Sequence, residues 1–308
     1  MAPGATIAIA LAFALDLSVQ EPPERFHPVA HLGAILEWVE ERADETALEE
    51  TRSSLTAGIL LAALAPLGYG LVFAVPVAMV AQFAPWAGGL VAGVGLFTAI
   101  SLSMLLDTAR AVVETSDTRP TDATDQVTAL VGRDPEPLSP AQLRSAALES
   151  AAENLADGFL APLSAFVAGA LFSLPAGIGL AAWVKAVNTL DSTFGYRDRP
   201  VGTASARLDD AVQWVPARLT AGLIALVAGS PGSLMVARKE ATAPPSPNSG
   251  WPMATLAHVL GVSLQKPGAY RLNEDASLPT VGDGYRGIEL VGWAGLLAVG
   301  ISGGILVW

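Results

Sequence analysis

Only 15% of this 308-residue chain is charged, yet two clusters of ionisable residues could do chemistry. Glu149, Glu153 and Asp157 recur every four residues, which puts them on one face if a single α-helix runs through all three, with Asn154 beside them. Like charges at that spacing repel, so the arrangement calls for a cation or a basic partner. The bland alternative is a solvated acidic face, but this face runs directly into an apolar segment at Phe159. The second cluster lies between Lys185 and Leu219. Lys185, Asn188 and Asp191 fall at i, i+3, i+6, and Arg207, Asp210, Trp214 and Arg218 follow a helical stripe. Carboxylates combined with Lys and Arg can hold a magnesium-bound polyphosphate, the carboxylates taking the metal and the cations the phosphate oxygens. Ion pairing between helices inside an apolar core is the competing explanation. Arg133, next to Asp134, could reach a phosphate or close a loop ion pair.

Other patterns exclude more than they support. His27 and His31 have the i, i+4 spacing of a metal pair, without an evident third ligand. Gly282, Gly284 and Gly287 match G-x-G-x-x-G in form, but an apolar span follows and no strand precedes, so a dinucleotide role is not expected. No G-x-x-x-x-G-K-[ST] occurs, so an ATP site here is not a P-loop. With no Cys, thiol nucleophiles and thiolate metal sites are excluded. The formal net charge of -12 argues against a nucleic-acid partner.

The elements that must position these residues are apolar. A hydrophobic fraction of 52% and a mean hydropathy of +0.47 point to an all-α, polytopic integral membrane protein. We expect one membrane domain over 1–308, with re-entrant or broken helices and polar loops at about 20–54, 107–158, 184–216 and 231–286. The segment Ala5–Val19 is somewhat short for the ~20 residues of a span, and Asp16 should sit at its end or face the interior. The run 55–106 is long enough for two spans, turning near Gln82–Trp86. Pro140, with Ser139 as N-cap, starts a helix through Asn154. The run 159–183, carrying Pro162 and Pro175, is one kinked span or a hairpin of half-helices, and 288–308 spans comfortably. Motif regions share one membrane face if 159–183 and 218–229 do not cross.

Taken in order, a set of segments resembles the adenosylcobinamide-phosphate synthase family, the membrane enzymes of cobalamin biosynthesis. These are His27-Pro-Val with Gly33, Val131-Gly-Arg-Asp134, Glu149-x-x-x-Glu153-Asn-x-x-Asp157-Gly, Lys185-Ala-Val-Asn-Thr-Leu-Asp191, Ser205-Ala-Arg-Leu-Asp-Asp210, Pro216-Ala-Arg-Leu219, Ser246-Pro-Asn248 with Trp251, and Gly282-Asp283. The resemblance implies ATP-dependent amide formation between the carboxylate of adenosylcobyric acid, a corrinoid, and (R)-1-aminopropan-2-ol or its O-phosphate. ATP and magnesium are the implied cofactors. Lipid and other cobalamin-assembly enzymes are the implied partners, and the active site is expected on the cytoplasmic face of a multi-pass cell-membrane protein. On that basis Glu153, Asp157, Asp209 and Asp210 supply general-base and magnesium positions, the metal falling to Glu153, Asp157 and Asp210. Arg133, Lys185, Arg207 and Arg218 would neutralise phosphate or the corrinoid carboxylate, while Asn154 and Asn188 orient. The two clusters would then be halves of one site.

Three positions depart from the family pattern: Pro135 replaces a Thr, His31 stands where an apolar or aromatic residue is usual, and the segment before Ser246 lacks a His. Two rival readings remain. Glu153 to Ala161 nearly matches the D-x-x-D-G-x-x-A-R signature of membrane alcohol phosphotransferases, with the acidic spacing off by one and Pro162 in place of Arg. A secondary transporter with broken helices would also carry midplane charges.

Overall fold

In the computed structural model, the described residues are 3–45, 51–131, 138–195 and 200–307. The chain is all-α. Among the described residues, strand is confined to one antiparallel hairpin, β1 (Leu264–Lys266) and β2 (Tyr270–Leu272), paired Leu264 to Leu272 and Lys266 to Tyr270. The chain divides into two compact units, Met1–Ser101, Ala161–Gln213 and Val299–Trp308 in the first, Leu102–Leu160 and Trp214–Ala298 in the second.

The first unit begins with α1 (Pro3–Val19) and α2 (Pro28–Glu45), followed by α3 (Thr51–Phe83) and α4 (Pro85–Phe97). The turn expected near Gln82–Trp86 falls at Ala84, where Pro85 opens the new helix. At 13 residues α4 is shorter than a span, so the apolar run 55–106 holds one long helix rather than two. Asp16 is wholly buried near the end of α1. The run expected to be a kinked span or a hairpin is a hairpin: α8 (Ala161–Ala170) turns at 171–173 and packs along α9 (Leu174–Phe194). Gly169 makes that approach, since a Cβ there would sit 2.5 Å from the Ala176 carbonyl oxygen. Pro175 opens α9, with the Ser173 hydroxyl accepting from the Ala176 N–H. Small residues on facing helices, Gly4 with Gly89 and Gly70 with Gly179, bring backbones together in the same way. On the polar half of α9, Ala186, Leu190 and Phe194 pack against Leu32 and Leu36 of α2.

In the second unit the polar segment that opens at 107 is largely helical. Most of that segment forms α5 (Ser103–Thr115), α6 (Pro120–Val131) and the start of α7 (Pro140–Asn154). Val112, Ala123, Val127, Leu143 and Ala147 recur at helical spacing and close a shared core, which outweighs the Thr and Asp content. The predicted start of α7 holds: the Gln142 side chain accepts from both the N–H and the hydroxyl of Ser139. The helix ends at Asn154, as the sequence predicts, and residues Leu155–Leu160 follow as a π-helical turn. The unit is completed by α11 (Trp214–Val227), α12 (Gly232–Glu240), α13 (Gly250–Leu260), the β-hairpin and most of α14 (Val281–Val307). Gly284 and Gly287 lie in α14 against Val113 and against Leu148 and Leu260, so that glycine string is a packing device. By length and composition Ser54–Phe83 and Val281–Val307 are long and apolar enough to cross a membrane; α1, α4 and α11 are apolar but shorter.

Because the Gly169 contact is with backbone, Gly169→Val should separate α8 from α9 and cost about 1–3 kcal/mol. A lower unfolding midpoint of the purified protein, with α8 more open to hydrogen exchange, is the expected result, whereas an unchanged midpoint would mean the hairpin does not depend on this approach.

Candidate active site

In the first unit the polar residues of α9 meet α10 (Thr203–Val212). Asn188 and Asp191 approach Asp209, and burial first, then the charges of Asp191 and Asp210, push the Asp209 carboxyl up to about 7; the facing amides of Gln213 and Asn188 oppose this. One oxygen of Asp209, Oδ1, is buried without a hydrogen bond. The neighbouring carboxylate diverges from it: Asp210 lines a cleft of about 370 Å³ with Thr203, Ala206 and Arg207. Adjacent positions on a helix point about 100° apart, so one helix presents Asp209 inward and Asp210 to the cleft. Asp191 lies at the C-terminal turn of α9, its carboxyl occupying the space a Cβ would need at Gly195.

Lys185 lies one turn before Asn188, near His27. Burial lowers the pKa of His27; Glu21 opposes this, and Lys185 and His31 add to it. The Val29 N–H donates to His27 Nδ1 at 3.2 Å, so the neutral ring carries its proton on Nε2, 3.7 Å from a Glu21 oxygen. His31 Nε2 is 3.0 Å from the Arg25 carbonyl oxygen. Both rings therefore have partners that do not converge on a metal.

In the second unit α7 carries a buried carboxylate network. Glu149 Oε2 accepts from the Tyr270 hydroxyl at 2.6 Å and Oε1 from the Ser145 hydroxyl at 2.8 Å; Ser145 Oγ in turn accepts the Gln265 N–H at 2.8 Å. Burial raises the Glu149 pKa, and these hydrogen bonds with the charge of Lys266 lower it. Glu153, one turn on, is pushed up to about 7 by burial and by Glu149, with Lys266 opposing. Asn154 turns back on its own helix, its Nδ2 donating to the Ser150 carbonyl and hydroxyl, both at 3.0 Å. Asp157 lies within the π turn, so the regular α-helix that carries Glu149 and Glu153 does not run unbroken through it.

The predicted stripe from Arg207 to Arg218 is likewise interrupted. α10 ends at Val212 and α11 begins at Trp214, with Gln213 at the break. Arg218 belongs with the second unit: its guanidinium stacks 4.2 Å from the Trp214 ring centre and 4.9 Å from that of Trp251. It donates to the Trp214 carbonyl at 2.7 Å and to Asn248 Oδ1 at 2.9 Å. Arg133 lies outside the described residues. Among the described residues no three His, Asp or Glu side chains gather as a metal cage. Candidate-site residues that sequence reasoning overlooked are Tyr270, Ser145, Lys266 and Gln213. The first and third lie more than a hundred positions from Glu149 in sequence and carry no local signal.

Tyr270→Phe should remove a hydrogen bond that lowers the Glu149 pKa. A raised carboxyl pKa costs stability as pH climbs from the ordinary carboxylate range through the raised value, so the variant should lose more stability at pH 8 than at pH 5, by roughly 1–3 kcal/mol. Equal losses at the two pH values in denaturant titrations would contradict the network.

The family model described as CobD/Cbib protein matches residues 9–292. A probable cobalamin biosynthesis protein CobD of Methanothermobacter thermautotrophicus is 36% identical, covering 86% of this chain and 85% of the relative. Cobalamin biosynthesis protein CobD of Klebsiella pneumoniae is 34% identical over 92% of this chain and 89% of its own length. Cobalamin biosynthesis protein CbiB of Salmonella paratyphi A is 31% identical with the same coverage. No solved structure matches. With most of its length matched by the family model and by relatives at this identity, the chain belongs to the CobD/CbiB family.

Proposed function

We propose that the protein is an adenosylcobinamide-phosphate synthase, an ATP-dependent ligase that joins the carboxylate of adenosylcobyric acid to (R)-1-aminopropan-2-ol or its O-phosphate. The observation that carries this reading is the cluster of the first unit. In a chain whose relatives are named for cobalamin biosynthesis, Asn188 and Asp191 converge on Asp209 beside a cleft lined by Arg207 and Asp210. A carboxylate is a poor electrophile. Transfer of the ATP γ-phosphoryl group to it would give an acyl phosphate and ADP. The amine then attacks the acyl carbon, a C–N bond forms, the C–O bond to phosphate breaks, and a proton leaves the nitrogen.

Arg207 and Lys185 would neutralise phosphate oxygens, and Arg218 the corrinoid carboxylate, where guanidinium geometry suits a planar anion. Asp209, held near neutrality, suits accepting the amine proton. Asn188 orients that carboxyl. Glu153, also near neutrality, and Asp157 are proposed as a second proton-handling and metal-facing pair, with Asn154 and Arg133 in supporting roles. The donor set fits magnesium, which is commonly held by one or two carboxylates together with phosphate oxygens. In the first unit Asp210, beside Arg207 in the cleft, would hold it; in the second, Glu153 and Asp157 are the carboxylates proposed for the same role. Bound magnesium would screen the charge on the transferring phosphoryl group.

We place the protein in the cell membrane as a multi-pass chain with each polar cluster open to the cytoplasm. The length of α3 and α14 supports crossing. At 10 residues α8 is about 15 Å long against a ~30 Å hydrocarbon core, which supports a re-entrant α8–α9 hairpin. The chain has no Cys, so Ser192→Cys and Ser246→Cys can be labelled singly in oriented vesicles. Both should react from the cytoplasmic side, and reaction from the outer side would refute the placement.

Membranes carrying the protein, given adenosylcobyric acid, MgATP and each amine in turn, should form an amide product identifiable by mass. Positional isotope exchange in ATP should require the corrinoid; exchange without it would count against the acyl phosphate. Arg207→Ala and Asp210→Asn should lower turnover by about 10²–10³-fold while leaving insertion intact. Near-normal turnover would remove both residues from the site.

A further inference from the structure

At the junction of α10 and α11 the side chain of Gln213 is 1% exposed, yet neither its amide nitrogen nor its amide oxygen has a hydrogen-bond partner. A buried amide left in this state costs on the order of 1–3 kcal/mol, so its retention needs a reason. Gln213 faces Asp209 closely enough to favour its charged form but without hydrogen-bond geometry; the Asp209 Oδ1 is also buried and unbonded, and Asn188 and Asp191 approach the same carboxyl from α9. Two signs of a missing ligand therefore meet in one cluster. One is an excess of carboxylate, and the other is an amide with both a donor and an acceptor unanswered.

We propose that Asp209, Asn188, Asp191 and Gln213 form the subsite for the amine co-substrate, a short primary amino alcohol whose ammonium group lies among the carboxylates and the Gln213 amide oxygen. Its hydroxyl or phosphoester oxygen accepts from the Gln213 amide nitrogen. This inference rests on the ligase reading above and assigns the amine to one part of that site. A bare metal ion does not fit as well. It offers no acceptor for the amide N–H, and no three carboxylate or His groups among the described residues gather to hold one. An ammonium supplies three donors to an acceptor-rich wall, and a neighbouring oxygen on the same small molecule completes the amide. The arrangement also separates the reactants, since Asp210 and Arg207 line the cleft while Asp209 turns inward to Gln213.

The test uses the full-length protein in detergent, without ATP or corrinoid. 1-Aminopropan-2-ol should raise its unfolding midpoint, with propylamine and propane-1,2-diol each giving a smaller rise. In turnover, Gln213→Leu should raise KM for the amine about 10- to 100-fold with KM for ATP within about twofold of the parent. Gln213→Glu, which keeps an acceptor, should retain propylamine binding and lose the preference for the hydroxylated amine. Binding of 1-aminopropan-2-ol that weakens in Gln213→Leu supports the subsite even if no amide product ever forms, in which case the ligase reading fails alone. Amide formation by Gln213→Leu with an unchanged amine KM overturns the subsite and leaves the ligase reading standing. So would a midpoint rise produced by magnesium alone and abolished in Gln213→Leu, because it would make this a metal site.

Discussion

A carboxyl group taken out of water must be answered, and much of this structure follows from how that is done. Glu149 is buried, and the answer comes from far along the chain: the Tyr270 and Ser145 hydroxyls reach its two oxygens. The β-hairpin, the sole strand pairing among the described residues, is fastened to α7 through the Gln265 N–H on Ser145. That hairpin is what carries Tyr270 and Lys266 to the carboxylate. Asp209 is answered less completely. Its amide neighbours offset the burial only in part, and this incompleteness is what gives the site its chemical character.

Helix irregularities set the direction of the functional groups. The π turn at Leu155–Leu160 follows directly on Glu153 and Asn154, so Asp157 sits in a wider turn than the α-helix that carries Glu149 and Glu153. The break at Gln213 separates Arg207 and Asp210 from Trp214 and Arg218, which belong to different compact units. Glycines act in the opposite sense, by allowing closeness. Gly169 and Gly177 let α8 lie along α9, where a methyl group would meet backbone, and the hairpin they permit leads into Lys185, Asn188 and Asp191.

How far the fold was legible depended on whether the signal was local. The capping residues of α7, the turn at Pro85 and the placing of Asp16 at a helix end or in the interior were readable, because an N-cap, a proline and a charge in an apolar run act within a few residues. The helices of 103–131 were obscured by Thr, Asp and Pro. Their apolar residues form a stripe narrow enough to be missed until Val112, Ala123, Val127, Leu143 and Ala147 are seen in one core. The second half of the run 55–106 looked long enough to span, yet its helix α4 stops at Phe97.

By itself the sequence determined the all-α character, the apolar segments, the starts of several helices and the ordered motifs that carry family membership. These depend on composition, on spacing along one helix and on order along the chain, none of which requires knowing what lies across from what. Only the tertiary structure decided that Glu149 is held by Tyr270, that Arg218 stacks between Trp214 and Trp251, that Asp209 and Asp210 face different surroundings, and that Gln213 is buried with its amide unanswered. Hydrogen bonding and desolvation act over a few ångströms in space, and partners drawn together at that range can lie anywhere in the chain.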